Sequence, residues 1–284
     1  MRNPIALLPI WSPQQRLQRK NISILALFLL TTLSLAQRTQ AAPPATAPAE
    51  VKNLLTQVDA AANRRDVRAV MQFYSPNFTH SDGLTSQTMA QSLTQLWQRY
   101  PQLKYQTRLQ SWTPQGRAII AETVTSITGT QVQDNRNMIL NATIKSQQRL
   151  ENNRIVRQDI LWERSQLKAG ARPPTVDVRL PVQVKAGQEY NFDAIVQESL
   201  GDDYLLGAVV EEPIRPENYL QATTPVELQL LPAGGLFKVG RAPATAANYW
   251  ISAILVRGDG MTLVTQRLQV GGRSPSTPNP VPQK

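Results

Sequence analysis

His80 and Asp82 are the residues of this chain whose types and spacing most readily suggest chemistry. His80 is the chain's single histidine, so any imidazole chemistry runs through it, and a histidine-rich metal site is excluded. The stretch Phe78-Thr79-His80-Ser81 reads as a short strand, and residues two apart on a strand share a face. A carboxylate beside an imidazole in a closed site could move a proton. Glu122, inside the β-branched run from Ile119 to Thr130, is a third candidate, because a carboxylate facing a pocket there would have a raised pKa suited to general acid work. Each has a plainer reading: a strand-end histidine, an Asp82-Gly83 turn and a solvent-facing glutamate. Trp97, Tyr105 and Trp162 are the candidates for lining a ligand pocket, since aromatic rings with a polar tip suit that task as well as they suit a core. Arg64, Arg65 and Arg68 at a helix end read as a solvated face. The chain contains no cysteine, which removes thiol nucleophiles, thiolate metal sites and disulfides. No phosphate-binding glycine loop, zinc spacing or serine elbow is found, and neither a metal nor a cofactor is expected.

Helices and strands must position these groups. Val51, Leu54, Leu55, Val58 and Ala62 fall on one face of a first helix. Asp66 caps a second, with Val67, Val70, Met71 and Tyr74 at helical spacing, and Ser75-Pro76-Asn77 ends it. After the Asp82-Gly83 turn, Thr85 or Ser86 caps a third helix carrying Met89, Leu93, Leu96, Trp97 and Tyr100, stopped by Pro101. The period then becomes two. Leu103 to Leu109, Ile119 to Thr130, Met138 to Ile144 and Val156 to Trp162 read as a four-strand antiparallel meander, with Val156, Ile160 and Trp162 on one face.

Beyond Ala169 to Pro174, a natural boundary, every ordered segment alternates. Val176 to Val184 is expected at a sheet edge because of Pro181. Tyr190 to Val196, Leu205 to Val210, Val226 to Leu230, Leu236 to Val239, Tyr249 to Val256 and Met261 to Val270 supply the other strands.

These residues carry two resemblances. Residues 50–168, through their element order together with Phe73-Tyr74-Ser75-Pro76-Asn77-Phe78-Thr79 and Asn153-Arg154-Ile155-Val156 with Trp162-Glu163, resemble the nuclear transport factor 2-like superfamily, which includes ketosteroid isomerases and polyketide cyclases. The resemblance implies an α+β cone, three helices packed on a curved antiparallel sheet, in a family of enzymes, ligand binders and dimeric adaptors. It places Asp82 at the isomerases' proton-abstracting aspartate, while the family's oxyanion-stabilising tyrosine and protonated acid find no match. Residues 175–270 resemble a bacterial immunoglobulin-like β-sandwich.

The ends of the chain read differently. Residues 1–41 have a basic region ending at Arg19-Lys20, an apolar run from Ile22 to Leu35 and small residues before Gln37 and Ala42, the layout of a signal peptide. An uncleaved membrane anchor is the alternative. Residues 42–49 read as an Ala/Pro linker, 169–174 as an interdomain linker and 271–284 as a disordered tail. The chain's net charge of +10 falls once the leader is removed, leaving 25 basic against 20 acidic residues. That excess is too small to imply nucleic acid binding, though weak association with an anionic envelope surface fits it. The expectation is a periplasmic or secreted binding or adaptor protein. Its cone would hold a small apolar ligand or a protein partner, and its sandwich would mediate association, with a homodimer open. The alternative is an isomerase, dehydratase or cyclase using Asp82, His80 or Glu122.

Overall fold

The computed structural model describes residues 41–133, 136–201, 203–220, 226–231, 234–258 and 260–271. The expected signal peptide, except for its last residue, the turn around Asp134 and Asn135, and the expected tail after Gly271 lie outside the described residues.

Three helices occur among the described residues: α1 (Ala49–Asn63), α2 (Val67–Met71) and α3 (Ser86–Arg99). α1 buries Val51, Leu54, Leu55 and Ala62, the apolar stripe its sequence spacing dictates. α2 is capped by Asp66, whose side chain accepts from the Ala69 amide at 2.9 Å. α3 opens with a capping box made by Thr85 and Thr88. Between α2 and α3 runs β1 (Tyr74–His80), which starts earlier than its apolar residues suggested and takes in Pro76. It lies parallel to β5, at whose side it forms a short edge where proline is tolerated.

The meander is present as β2 (Leu103–Gln115), β3 (Ala118–Gln133), β4 (Arg136–Glu151) and β5 (Arg154–Gly170), each paired antiparallel to the next. Beyond it come β6 (Val176–Arg179), β7 (Gln183–Val184), β8 (Glu189–Val196), β9 (Leu205–Pro213), β10 (Gln229–Leu230), β11 (Gly235–Arg241), β12 (Ala247–Arg257) and β13 (Gly260–Val270). Pro181 falls in the break between β6 and β7, where no ladder amide is needed. Among the described residues the strands form two sheets. The larger runs β10-β9-β12-β13-β5-β4-β3-β2, and the smaller is β11-β8-β6.

The two halves therefore share a sheet. β13 pairs with β5 from Gln266 opposite Arg164 to Gly260 opposite Gly170. The stretch expected as an exposed linker from residue 169 begins inside β5, because Ala169 and Gly170 are laddered to β4 and β13 and Ala169 is buried. Cores remain separate. One lies between the smaller sheet and β12-β13, built on Phe192, Ala194, Ile251, Leu255, Val264 and Leu268. Two others lie between the helices and the meander, one around Val51, Phe78 and Ile155, the other around Val70, Trp97 and Ile127. Architecture is thus α+β up to Gly170, followed by a two-sheet β arrangement.

The outer edge of β2 is covered rather than open. Asn63 mimics a neighbouring strand, donating to the Tyr105 carbonyl at 3.0 Å and accepting from its amide at 2.7 Å. One turn back on α1, Asp59 accepts from the Thr107 amide at 2.6 Å. Ala42 pairs with Trp112 through both backbone groups, and Ala47 is buried. Of residues 42–49, expected as an Ala/Pro linker, 42–47 are therefore a packed cover for the sheet edge and Ala49 already opens α1.

Candidate functional site

The turn after β1 places Asp82 where five segments meet. Gly83 holds φ at +82°, and an added Cβ there would stand 3.0 Å from Pro216, so the turn is seated directly against the second half. Asp82 does occupy a turn, as expected, but its carboxylate faces inward and is fully shielded. Arg267 of β13 grips it with both terminal nitrogens, Nη1 to Oδ1 at 2.9 Å and Nη2 to Oδ2 at 2.7 Å. Tyr219, at the end of the 3₁₀ turn Pro216–Tyr219, donates its hydroxyl to Oδ2 at 2.6 Å. Ser81 and Asn248 reach Oδ1 at 3.4 and 3.5 Å.

Arg267 is shared with a second carboxylate. Its Nη2 donates to Glu163 Oε2 of β5 at 2.9 Å, and Trp250, opposite Arg267 on β12, donates its indole N–H to that same oxygen at 3.3 Å. Tyr219 packs edge-on against Trp250, with ring centroids 4.9 Å apart. The charges are thus buried, paired and hydrogen-bonded, the condition under which buried ions persist.

Electrostatics follow from this geometry. Burial alone would raise the Asp82 carboxyl, but the hydrogen bonds and charge of Arg267, helped by Tyr219, hold it below its usual value. Burial works against a charged Arg267 too, yet its bonds to Asp82 and the field of Glu163 raise it further. Tyr219 is pushed up by burial and by the two carboxylates, so its proton stays on the phenol. His80 is lowered, first by burial, with the Asp82 charge only partly opposing. Its Nδ1 accepts the Asp82 amide hydrogen at 3.1 Å, which makes that nitrogen the unprotonated one. The 3.7 Å approach of Nδ1 to the Asp82 carboxylate is therefore a contact, not an ion pair.

The structure brings His80 and Asp82 together and leaves Glu122 apart. Glu122 lies exposed on the solvent face of β3, where Ser111 donates to it at 3.3 Å. Trp97 and Tyr105 also meet: the indole N–H donates to the Tyr105 hydroxyl at 2.8 Å, and burial lifts that phenol to about 12. Trp162 does not join them. Lys145 pairs with Trp162 whereas the next residue, Ser146, pairs with Ile160, so an irregularity at Leu161 turns Ile160 and Trp162 to opposite faces. Ser146 meets Thr123 on the helix-facing side, and Trp162 lies on the other, beneath the Lys145 ammonium at 5.7 Å. An irregularity of this kind leaves no mark in an alternating pattern.

Two concavities adjoin these residues. A crevice under Tyr100, lined by Leu103, Met138, Leu140 and Leu167, has no room for a water. A broad open groove of about 950 Å³ runs beside β2, lined by Asn63, Arg65, Lys104, Tyr105, Gln106 and Thr128 among others. Inside the meander, Thr123, Ser146, Gln148 and Gln158 form a neutral polar cluster, with the Tyr74 hydroxyl reaching Gln158 at 3.5 Å. Among the described residues, Gln148 Oε1 is a buried acceptor without a partner. No group of three or more histidine, aspartate or glutamate residues among them could hold a metal ion, and no helix among them is long and apolar enough to cross a membrane.

Arg267, Glu163, Tyr219 and Trp250 were not singled out by sequence reasoning. No local signal marked Arg267: it falls in the row Met261, Leu263, Thr265, Arg267 and Gln269, which turns polar along the strand, while Val264, Leu268 and Val270 lie on the other face with Thr262 and Gln266.

Fold and site define a two-part protein, an α+β layer and a paired-sheet β layer sharing one sheet and stapled by a buried ion-pair network. The family described as "Domain of unknown function (DUF8623)" matches residues 171–271. None of the curated proteins matches the chain. Among solved structures, the chain is similar to Bd1075 of Bdellovibrio bacteriovorus at 14% identity and a TM-score of 0.29, over 39% of this chain and 40% of that one. It is similar to an epoxide hydrolase of the LEH-like type from M. tuberculosis at 10% identity and a TM-score of 0.29, over 39% and 80% of the two chains. A protein from Shewanella putrefaciens described as a SnoaL-like polyketide cyclase is 12% identical with a TM-score of 0.30, over 40% and 89%. Likeness at this level fixes no activity for this chain.

Proposed function

We propose that this is an exported, non-enzymatic binding or adaptor protein, a nuclear transport factor 2-like cone welded to an immunoglobulin-like sandwich. The observation that carries the reading is the double grip of Arg267 on Asp82. A proton-abstracting carboxylate needs a free lone pair and a pKa near its working pH. Asp82 has Arg267 and Tyr219 on its oxygens and is held well into its ionised form. Its task is to neutralise an arginine delivered by the second half. Ligand capture then falls to the groove beside β2, and because amides, hydroxyls and cations line it, a polar ligand suits it better than the apolar one anticipated from the aromatic residues.

Native mass spectrometry of the protein from its own host tests this. A small polar molecule retained by the wild type and by Asp82→Leu/Arg267→Met, and lost in Lys104→Ala/Gln106→Ala, whose side chains share the groove face with Thr128, is the expected result. Failure of Lys104→Ala/Gln106→Ala to change retention would move the ligand elsewhere.

A second reading, a small-molecule enzyme, is favoured by one observation: His80, Asp82, Glu163 and Tyr219 gather at a single buried point, an arrangement common at catalytic centres. It also fits the activities printed for the hydrolase and cyclase relatives. It requires Asp82→Asn to abolish turnover while leaving stability intact.

A further inference from the structure

The sheet edges of this protein are treated unequally. β2 is covered by Asp59, Asn63 and Ala42, and β10, at the other end of the larger sheet, is two residues long. β11 is an edge of the smaller sheet and has seven residues. Its backbone polarity can be read from its ends. The Ala242 amide donates to Gln188 and the Val196 amide to Gly234, so the even-numbered residues of β11 bond to β8. The odd-numbered residues, Phe237 and Val239, therefore turn their N–H and C=O groups to the free edge, and none of these groups has another partner among the described residues. Their side chains are exposed as well, Phe237 by 57% and Val239 by 68%, on the face turned away from the core. Protein edges are normally blunted by charge, proline or brevity; here the exposed face carries an aromatic and a β-branched residue, while the charge between them, Lys238, lies on the other face and is tied to Glu211 at 2.9 Å.

We propose that β11 pairs antiparallel with β11 of a second copy about a two-fold axis through Lys238. This names the partner for the association role given to the sandwich above and rests on that reading. In this register Phe237 lies opposite the partner's Val239, and Val239 opposite the partner's Phe237, so both apolar side chains meet on one face. All four free backbone groups of each copy are satisfied, making four hydrogen bonds across the axis. The sequence around Lys238 is self-complementary in size, which an isologous interface requires. Lys238 opposes itself on the other face, where each ammonium is already held by its own Glu211 at 2.9 Å. Two short strands bury little area, so the dimer is concentration-dependent.

The native chain has no cysteine, so single cysteines report the register. Position 238 opposes itself as a non-hydrogen-bonded pair with Cα atoms about 4.5 Å apart, within disulfide reach. The two copies of position 237 stand about 8 Å apart, beyond it. Under mild oxidation, Lys238→Cys should become a covalent dimer and Phe237→Cys should not. Sedimentation of the wild type should show a dimer that dissociates over a hundredfold dilution, and Val239→Lys should be monomeric throughout with an unchanged melting temperature. Cross-linking equal at both positions would overturn this register while leaving an association role for the sandwich standing. A wild type monomeric at every concentration would overturn the dimer, and ligand retention measured separately by native mass spectrometry would still judge the binding function.

Discussion

Two buried polar clusters sit on the same sheet and are built on opposite principles. At Asp82 the groups are charged, are drawn from segments up to 185 residues apart, and every described carboxylate oxygen facing Arg267 is engaged. Inside the meander, Thr123, Ser146, Gln148 and Gln158 are neutral neighbours on consecutive strands, and one acceptor goes without a donor. The contrast follows from cost. An unpaired buried charge is intolerable, so the charged cluster must be complete and therefore ties the two halves together. An unpaired amide oxygen costs only about 1–3 kcal/mol, which a fold can carry.

The comparison is most severely tested at Arg267. Arg267→Met leaves Asp82 charged and buried with only neutral donors, and unfolding in urea should show a loss of about 3–5 kcal/mol. Adding Asp82→Leu should restore most of that, because an apolar pair replaces an ion pair at little net cost. Failure of the second change to recover stability would mean that the pair does more than neutralise itself. Next in size is Tyr219→Phe, which removes a hydrogen bond to a charged oxygen and should cost about 1.5–3 kcal/mol in the same assay.

Acid separates the clusters without mutation. His80 is lowered in the folded protein, so below about pH 6.5 the unfolded chain binds a proton the native one refuses, and stability falls as pH falls. Asp82 is also lowered, so its contribution is present above its unfolded value near 3.9 and is lost as pH drops through its folded value. Stability measured against pH should therefore decline in two stages. His80→Asn, which keeps an acceptor for the Asp82 amide and cannot titrate, should flatten the first stage alone. The neutral cluster gives the smallest effect: Gln148→Met removes the unpartnered oxygen and should be neutral or stabilising by up to about 1 kcal/mol.

The elements were legible because their signals are local. Periodicity and caps located α1, α3 and the meander strands, and the cap at Asp66 and the turn at Asp82-Gly83 stand where the sequence puts them. His80 and Asp82 do meet, but because the turn after β1 folds the Asp82 amide onto His80 Nδ1 and not because one strand carries both. Other features depended on long-range pairing. Nothing near Ala169 states that β5 will meet β13, since a laddered strand end and a linker start can share a composition. Arg267 reads as one more polar residue of an alternating strand until Asp82 is placed against it. The displacement of Trp162 came from a single irregularity, and a one-residue slip reverses every later side chain.

The claim that Asp82 serves as a counter-ion rather than a base is tested most directly by its own titration. Carbon-13 NMR of the Asp82 carboxyl in the intact protein should show it ionised across the whole folded range, with a midpoint below the ordinary 3.9 or none before acid unfolding. A midpoint above about 5, where a carboxylate exchanges protons readily near neutral pH, would contradict the account and return Asp82 to catalysis.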